Sequence, residues 1–437
     1  MSDRANRRSS LSASLDTNSA PDSVATRTPY VPLQRIDGHD RPEPLQLFDP
    51  ARDRHVGRSP VDVRFDDVNV PVASYREPTV APRGTGYLPY RYAVAGLLTI
   101  GSQIPLPELE YFREPSLGKN LDIEIRVGKV GHSRPRSRAR LLRFEEPLGV
   151  RYEEHLGRLA ANFAIDLGDR IHVTLSSLLA RSPHVAYTNV IEALLRFAIA
   201  ARGHMLLHSA CLEIDGRGVL LSAKTDTGKT GTVLRLLRER GARFLSDDMT
   251  IVAPDGTATC FPKPLTISSH TLRAVDPGDL KRSEWMWLGV RSRIHSKGGR
   301  GIGLALGNQN LPIMTVNALT QMMITPPKYI VDRLVACELT PTTSVSDVFI
   351  IERGTPSLAE VASEDALPEL IENTDDAYGF PPFRYLAPAL VVGGEEYVDL
   401  RQRELDVLTK ALTSMRVRRM ASDSFDWADR IPEVLRG

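Results

Sequence analysis

The chain of 437 residues has only three cysteines, Cys211, Cys260 and Cys337, spaced far apart. They form no disulfide framework and no metal spacing, so a reducing compartment is the simpler setting. Net charge is also missing. Against 55 Lys and Arg stand 54 Asp and Glu, a formal charge of +1 at pH 7. That excludes a broad nucleic-acid-binding surface, although a local basic site remains compatible. No apolar run approaches the length of a membrane span. The opening Met1-Ser2-Asp3-Arg4 has no apolar signal core. A cytoplasmic protein with no membrane span and no nucleic-acid partner is expected. There is no internal repeat.

Apolar clusters are scarce over residues 1–84, which are rich in Arg, Asp, Ser and Pro. Such a segment buries too little surface to offset its ordering entropy, so a disordered tail is expected. Residues 85–185 carry period-two alternation, as in Leu121-Asp122-Ile123-Glu124-Ile125-Arg126-Val127. Further strands are predicted at 90–100, 139–144, 162–167 and 170–175, which makes this a small antiparallel β-rich module. From 186 onward the pattern becomes α/β. Thr188 or Asn189 can cap a helix through Ala201. Helices are also predicted near 357–373 and 401–416. Asp215-Gly216 and Asp255-Gly256 are hairpin signals.

The chain is organised around Ala223-Lys224-Thr225-Asp226-Thr227-Gly228-Lys229-Thr230-Gly231. It fits a Walker A phosphate loop with Ala in the first Gly position. Gly218 to Ser222 reads as a buried strand before it. Thr230 to Arg240 reads as a helix after it, with Gly241 as C-cap. Loop N–H groups and the helix N-terminus would face an anion. Gly228 allows close approach, Lys229 would reach β/γ-phosphates, and Thr230 would ligate Mg²⁺.

Asp247 and Asp248 end the next short strand, Arg243 to Ser246. One can hold Mg²⁺ while the other accepts the proton of an attacking hydroxyl. Sequence does not say which does which. His208 falls on the strand expected to pair with the loop's own strand, where it could stabilise transferring oxygens or hold a carboxylate. Residues 281–303 are basic and Gly-rich, and the part from Arg291 to Arg300 suits a loop that clamps phosphates. The acids and aromatics of 375–383 form a turn-rich stretch that could line a substrate site.

His208-Ser209-Ala210, the loop 223–230 and Phe244-Leu245-Ser246-Asp247-Asp248, in this order and spacing, resemble the core of the HPr kinase/phosphorylase family and its wider set of related proteins. Their nucleotide core is similar to that of phosphoenolpyruvate carboxykinase. The resemblance implies an α/β P-loop fold behind a small β-rich N-terminal module, ATP and Mg²⁺ as cofactors, and transfer of the γ-phosphoryl group to a hydroxyl. It implies catalytic roles for His208, Asp247, Asp248 and Arg300. Nucleotide contacts would come from residues 223–231, and metal contacts from Thr230, Asp247 and Asp248. Arg300-Gly301-Ile302-Gly303 is similar to the family's Arg-Gly-Leu-Gly signature, but Gly298-Gly299 stand where an acid is usual. The acceptor is therefore expected to be a small molecule, sugar or peptide rather than HPr. A homo-oligomer is compatible with the sequence. The rival reading is a nucleotide-binding regulatory or scaffold protein that binds ATP without transferring it.

Overall fold

The computed structural model describes residues 86–130, 139–224, 227–267, 271, 311–324, 326, 328–379 and 382–437. The tail 1–84, the basic stretch 281–303 with Arg300, and Thr225 and Asp226 lie outside the described residues.

The first sheet collects β1 (Tyr90–Val94), β2 (Leu98–Ser102), β3 (Ile123–Val127), β4 (Arg140–Glu145), β5 (Leu148–Glu153), β6 (Phe163–Leu167) and β7 (Ile171–Leu175). Their order is β1-β2-β3-β7-β6-β5-β4. The expected antiparallel module is in fact mixed, because β2, β3 and β7 run parallel. Residues 103–122 carry the chain back across the sheet end and make that crossover. Alternation sets the inner face: Phe163, Ile165 and Leu167 of β6 are buried, while Ala164 and Asp166 are less so.

That face packs on Ala193, Leu194, Phe197 and Ala198 of the helix Glu192–Ala201. This helix does not start at a Thr188 or Asn189 cap. A short helix Pro183–Ala186 runs into a π-turn, Tyr187–Ile191, and the Asn189 side chain donates to the Val185 carbonyl at 2.9 Å. The longer turn widens the helix immediately before Glu192.

The second sheet is built from β8 (Met205–Leu207), β9 (Ala210–Ile214), β10 (Arg217–Ser222), β11 (Arg243–Ser246), β12 (Thr250–Val252) and β13 (Thr257–Thr259). It continues, after the small pair β14 (Leu265–Thr266) and β15 (Lys328–Tyr329), with β16 (Thr342–Arg353) and β17 (Ser357–Val361). The hairpin β18 (Val391–Val392) with β19 (Glu395–Glu396) precedes the last strand, β20 (Arg416–Ser422). The path runs β11-β9-β10-β16, and the first half of β16 also pairs β13, which leads to β12 and β8. The second half of β16 lies parallel to both β10 and β20.

These three parallel strands are buried on both faces, which is why Val219-Leu220-Leu221 and Val348-Phe349-Ile350-Ile351 read as unbroken apolar runs. Val219, Leu221, Phe349, Ile351 and Met420 pack under the helices Lys229–Arg240 and Trp427–Arg436. Leu220, Val348, Ile350 and Val417 pack under the helices Ser363–Tyr378 and Tyr397–Leu412. These two helices differ from expectation. Ser357–Val361 is a strand edge on β20, so the helix begins only at Ser363. The helix Tyr397–Leu412 starts and ends four residues earlier than the expected 401–416.

Candidate active site

β10 ends at Ser222, and the helix Lys229–Arg240 begins six residues after Ala223. Between them the chain tightens. The Thr227 amide and hydroxyl both donate to the Lys224 carbonyl, at 3.2 Å and 2.7 Å. Gly228 has φ 130°, a conformation that side chains rarely adopt. It is the residue before the helix, so the first helical N–H groups open onto the same space as the loop. Ala223 is buried, Lys224 exposed, and Thr230 and Gly231 half-buried.

The Lys229 side chain turns inward. Its Nζ is buried and has no hydrogen-bond partner. Burial lowers its pKa, against the opposing pull of Asp248 and Asp247. The Thr230 hydroxyl donates to Asp247 Oδ2 at 2.8 Å. Asp247 is only 7% exposed, and its Oδ1 is buried without a partner. Burial pushes its carboxyl up to about 6, although Lys229 and Thr230 pull downward. An ammonium and a carboxylate oxygen, both buried and both unpaired, thus act on one another beside a carboxylate that already accepts from Thr230. Native interiors rarely leave such groups unpaired without a ligand or catalytic reason.

Asp248 points elsewhere, as adjacent residues at a strand end do. Its side chain is 50% exposed, with Oδ2 held by Lys263 Nζ at 2.7 Å. Its Oδ1 faces His208 Nε2 at 3.8 Å. Partial burial opposes ionisation here, but Lys263, His208 when it is protonated, and Lys229 outweigh it and hold the carboxyl well below its usual range.

His208 does not sit on the strand paired with β10. It lies between β8 and β9, where Ser209 N–H bonds back to the Leu207 carbonyl at 2.9 Å and breaks the strand. Its Nδ1 lies 2.8 Å from the Asn373 carbonyl, a pure acceptor, so Nδ1 carries the proton. Its Nε2 lone pair is left facing Asp248. Burial, followed by Lys229, lowers the imidazole to about 4, so it is neutral at pH 7.

Two residues that the sequence did not single out complete this side. Lys263 is buried and bridges Asp248 to Glu192, which is itself buried at the start of its helix. Lys263 N–H bonds the Phe261 carbonyl, and Phe261 N–H bonds the Leu245 carbonyl, both at 2.9 Å. The lysine is therefore fixed to the strand that carries the acid pair. A lysine between two prolines in an otherwise apolar run, and one acid among Val190, Ile191, Ala193 and Leu194, were the available signals.

On the other side of the loop, Arg353 Nε donates to the Thr227 carbonyl at 3.0 Å. Of 375–383, Asp375 is engaged by Arg196 and Arg401, and Tyr378 stacks on Phe383 at 4.3 Å. These contacts brace helices. Tyr378 reaches toward the site only through its hydroxyl, 3.6 Å from Met249 Sδ.

The structure therefore brings together Lys229, Thr230, Asp247, Asp248 and His208. No family model and no curated protein matches the sequence. Among solved structures, a similar chain is the HPr(Ser) kinase/phosphatase from Coxiella burnetii. It has 10% identity and a TM-score of 0.25 over 53% of this chain and 94% of that one. The fold is mixed α/β with parallel strands at its centre, and among the described residues no helix is long and apolar enough to cross a membrane.

Proposed function

We propose that this chain is an ATP-dependent phosphotransferase that moves the γ-phosphoryl group to a hydroxyl of a small-molecule, sugar or peptidyl acceptor. The observation that carries the reading is the pair of buried, unpartnered groups, Lys229 Nζ and Asp247 Oδ1, which attract one another electrostatically while Asp247 also accepts from the Thr230 hydroxyl. Both are the kinds of group that phosphate oxygens and a hard divalent cation satisfy. Mg²⁺ takes one or two protein oxygens and fills the rest of its shell with water and phosphate.

In this reading 223–231 is a phosphate loop, and Thr230 and Asp247 hold the cation. When bound there, Mg²⁺ would neutralise charge on the phosphate oxygens. Lys229 places its ammonium on the β/γ-phosphates. Asp248 Oδ1 takes the proton of the acceptor hydroxyl as its oxygen bonds to the γ-phosphorus. The bond from that phosphorus to the bridging oxygen breaks, and ADP leaves. His208, neutral and with its Nε2 lone pair toward Asp248, can accept that proton onward. Lys263 keeps Asp248 ionised so that it can act as a base at neutral pH.

Supplying γ-labelled ATP, Mg²⁺ and fractions of the protein's own cell extract tests this. Label should appear in a stable phosphate ester, and the Asp248→Asn protein should put it there about 10²–10⁴-fold more slowly. Label found only in ATP or inorganic phosphate with every fraction would favour a regulatory nucleotide-binding protein instead.

A further inference from the structure

The C-terminal ends of β10, β16 and β20 meet at the loop, and ligands of open α/β sheets bind outside such ends. Beyond the residues already assigned, this edge carries an aromatic side chain in an unusual state. Phe425 has φ 62° and a side chain that is 44% exposed. A left-handed backbone is uncommon for a bulky residue, and such outliers persist only where their surroundings hold them. Here the holder is Ser422. Its hydroxyl donates to Asp426 at 2.6 Å and receives the N–H groups of Ser424 and Asp426 at 3.2 Å and 3.3 Å. The turn pushes Phe425 outward while its neighbour Trp427 is fully buried.

The Phe425 ring lies over the loop. A Cβ added at Gly228 would meet Phe425 Cδ1 at 3.1 Å and Trp427 Cζ3 at 3.2 Å. Trp427 meets the ring edge-on at 5.5 Å, and the Arg353 guanidinium stands 4.7 Å from its centroid. Arg353 is the residue that bonds the Thr227 carbonyl. The guanidinium thus covers one face of the ring, immediately next to the residues proposed to hold phosphate. Trp427 and the helix behind it already fill the core here, so packing does not require the exposed ring.

We infer that Phe425, backed on one face by Arg353, offers its other face as the stacking platform for the base of the bound nucleotide. This rests on the phosphotransferase reading and adds to it how the nucleoside end is recognised. Every base has a π-face, so recognition by stacking is tolerant of base identity. ATP and GTP should therefore bind with similar affinity.

Titration calorimetry with Mg-ATP, Mg-GTP and Mg-tripolyphosphate separates the two ends of the ligand. Phe425→Gly accepts the same backbone conformation without the ring, and Phe425→Tyr keeps the ring. Thermal melting shows that each variant is folded. The platform predicts that Phe425→Gly weakens ATP and GTP by about 10- to 100-fold. It should leave tripolyphosphate unchanged, and Phe425→Tyr should remain close to wild type. Equal loss for ATP and tripolyphosphate, or no loss for either, would overturn it. So would wild-type protein that binds tripolyphosphate as tightly as ATP, which would spare the phosphate site. Wild-type protein that binds none of the three ligands would instead remove the phosphotransferase reading and the platform with it.

Discussion

Replacing Lys229 with methionine should stabilise the empty protein and weaken its hold on Mg-ATP. Methionine has nearly the same length and shape, so the packing is kept. What disappears is an ammonium whose Nζ is buried and unpartnered. Leaving a buried polar group unsatisfied costs about 1–3 kcal/mol, and more when it is charged. Attraction to Asp247 and Asp248 already offsets part of that cost, so the gain should fall near about 1 kcal/mol. For a chain of this size that is a rise in Tm of roughly 1–2 °C. With nucleotide present the sign reverses. A charge-assisted contact is worth about 1.5–3 kcal/mol, so Mg-ATP affinity should fall by about one to two decades. Scanning calorimetry of the ligand-free protein and titration calorimetry with Mg-ATP measure the two effects. A less stable empty variant that binds Mg-ATP with unchanged affinity would refute the reasoning, because Lys229 would then be a structural lysine.

Two further outcomes follow from the same site. His208 has a folded-state pKa near 4 against an ordinary 6.5, so the unfolded chain binds more protons in that window and stability falls as pH drops from 6.5 to 4. Asp247 works in the opposite direction. Its value near 6 against 3.8 makes the folded state bind more protons, so it adds stability on acidification through roughly the same range. Melting at pH 4.5 and pH 7 should show Asp247→Asn losing more stability than wild type on acidification and His208→Asn losing less. Lys263→Met should raise the Asp248 carboxyl, move the acidic limb of any transfer activity to higher pH and leave Mg-ATP affinity unchanged. Lys263→Arg should restore most of the profile, and an unmoved limb in the methionine variant would show that the tether does not serve Asp248.

The parts of the site that were legible in the sequence are those made by neighbours in the chain. An apolar run, a glycine-bearing loop and an amphipathic stretch specify β10, its turn and the helix Lys229–Arg240 locally, and Asp247-Asp248 close the next apolar strand. Asp215 and Gly216, both at positive φ, turn β9 into β10 as their residue types suggest. What was not legible depends on distant partners. Lys263 matters through Glu192, 71 residues away, and Arg353 through Thr227, 126 residues away. Ser357–Val361 reads as helical beside the residues that follow it, but pairing with β20 overrides that preference. The parallel run β2-β3-β7 likewise follows from where the crossover lands, which alternation alone does not specify. The division of the acid pair was open for the same reason. Only the fold shows that Thr230 lies against one carboxylate and Lys263 against the other.

That division is the centre of the account, and a comparison of two conservative variants tests it most directly. Mg-ATP affinity and phosphoryl transfer should be measured for Asp247→Asn and Asp248→Asn with the acceptor fraction that takes the label. Asp247→Asn should lose the dependence of nucleotide binding on Mg²⁺, along with transfer and slow hydrolysis. Asp248→Asn should bind Mg-ATP normally and transfer about 10²–10⁴-fold more slowly. Two variants that both transfer at near-normal rates would contradict it, and the acid pair would then be a turn beside a site whose base lies elsewhere.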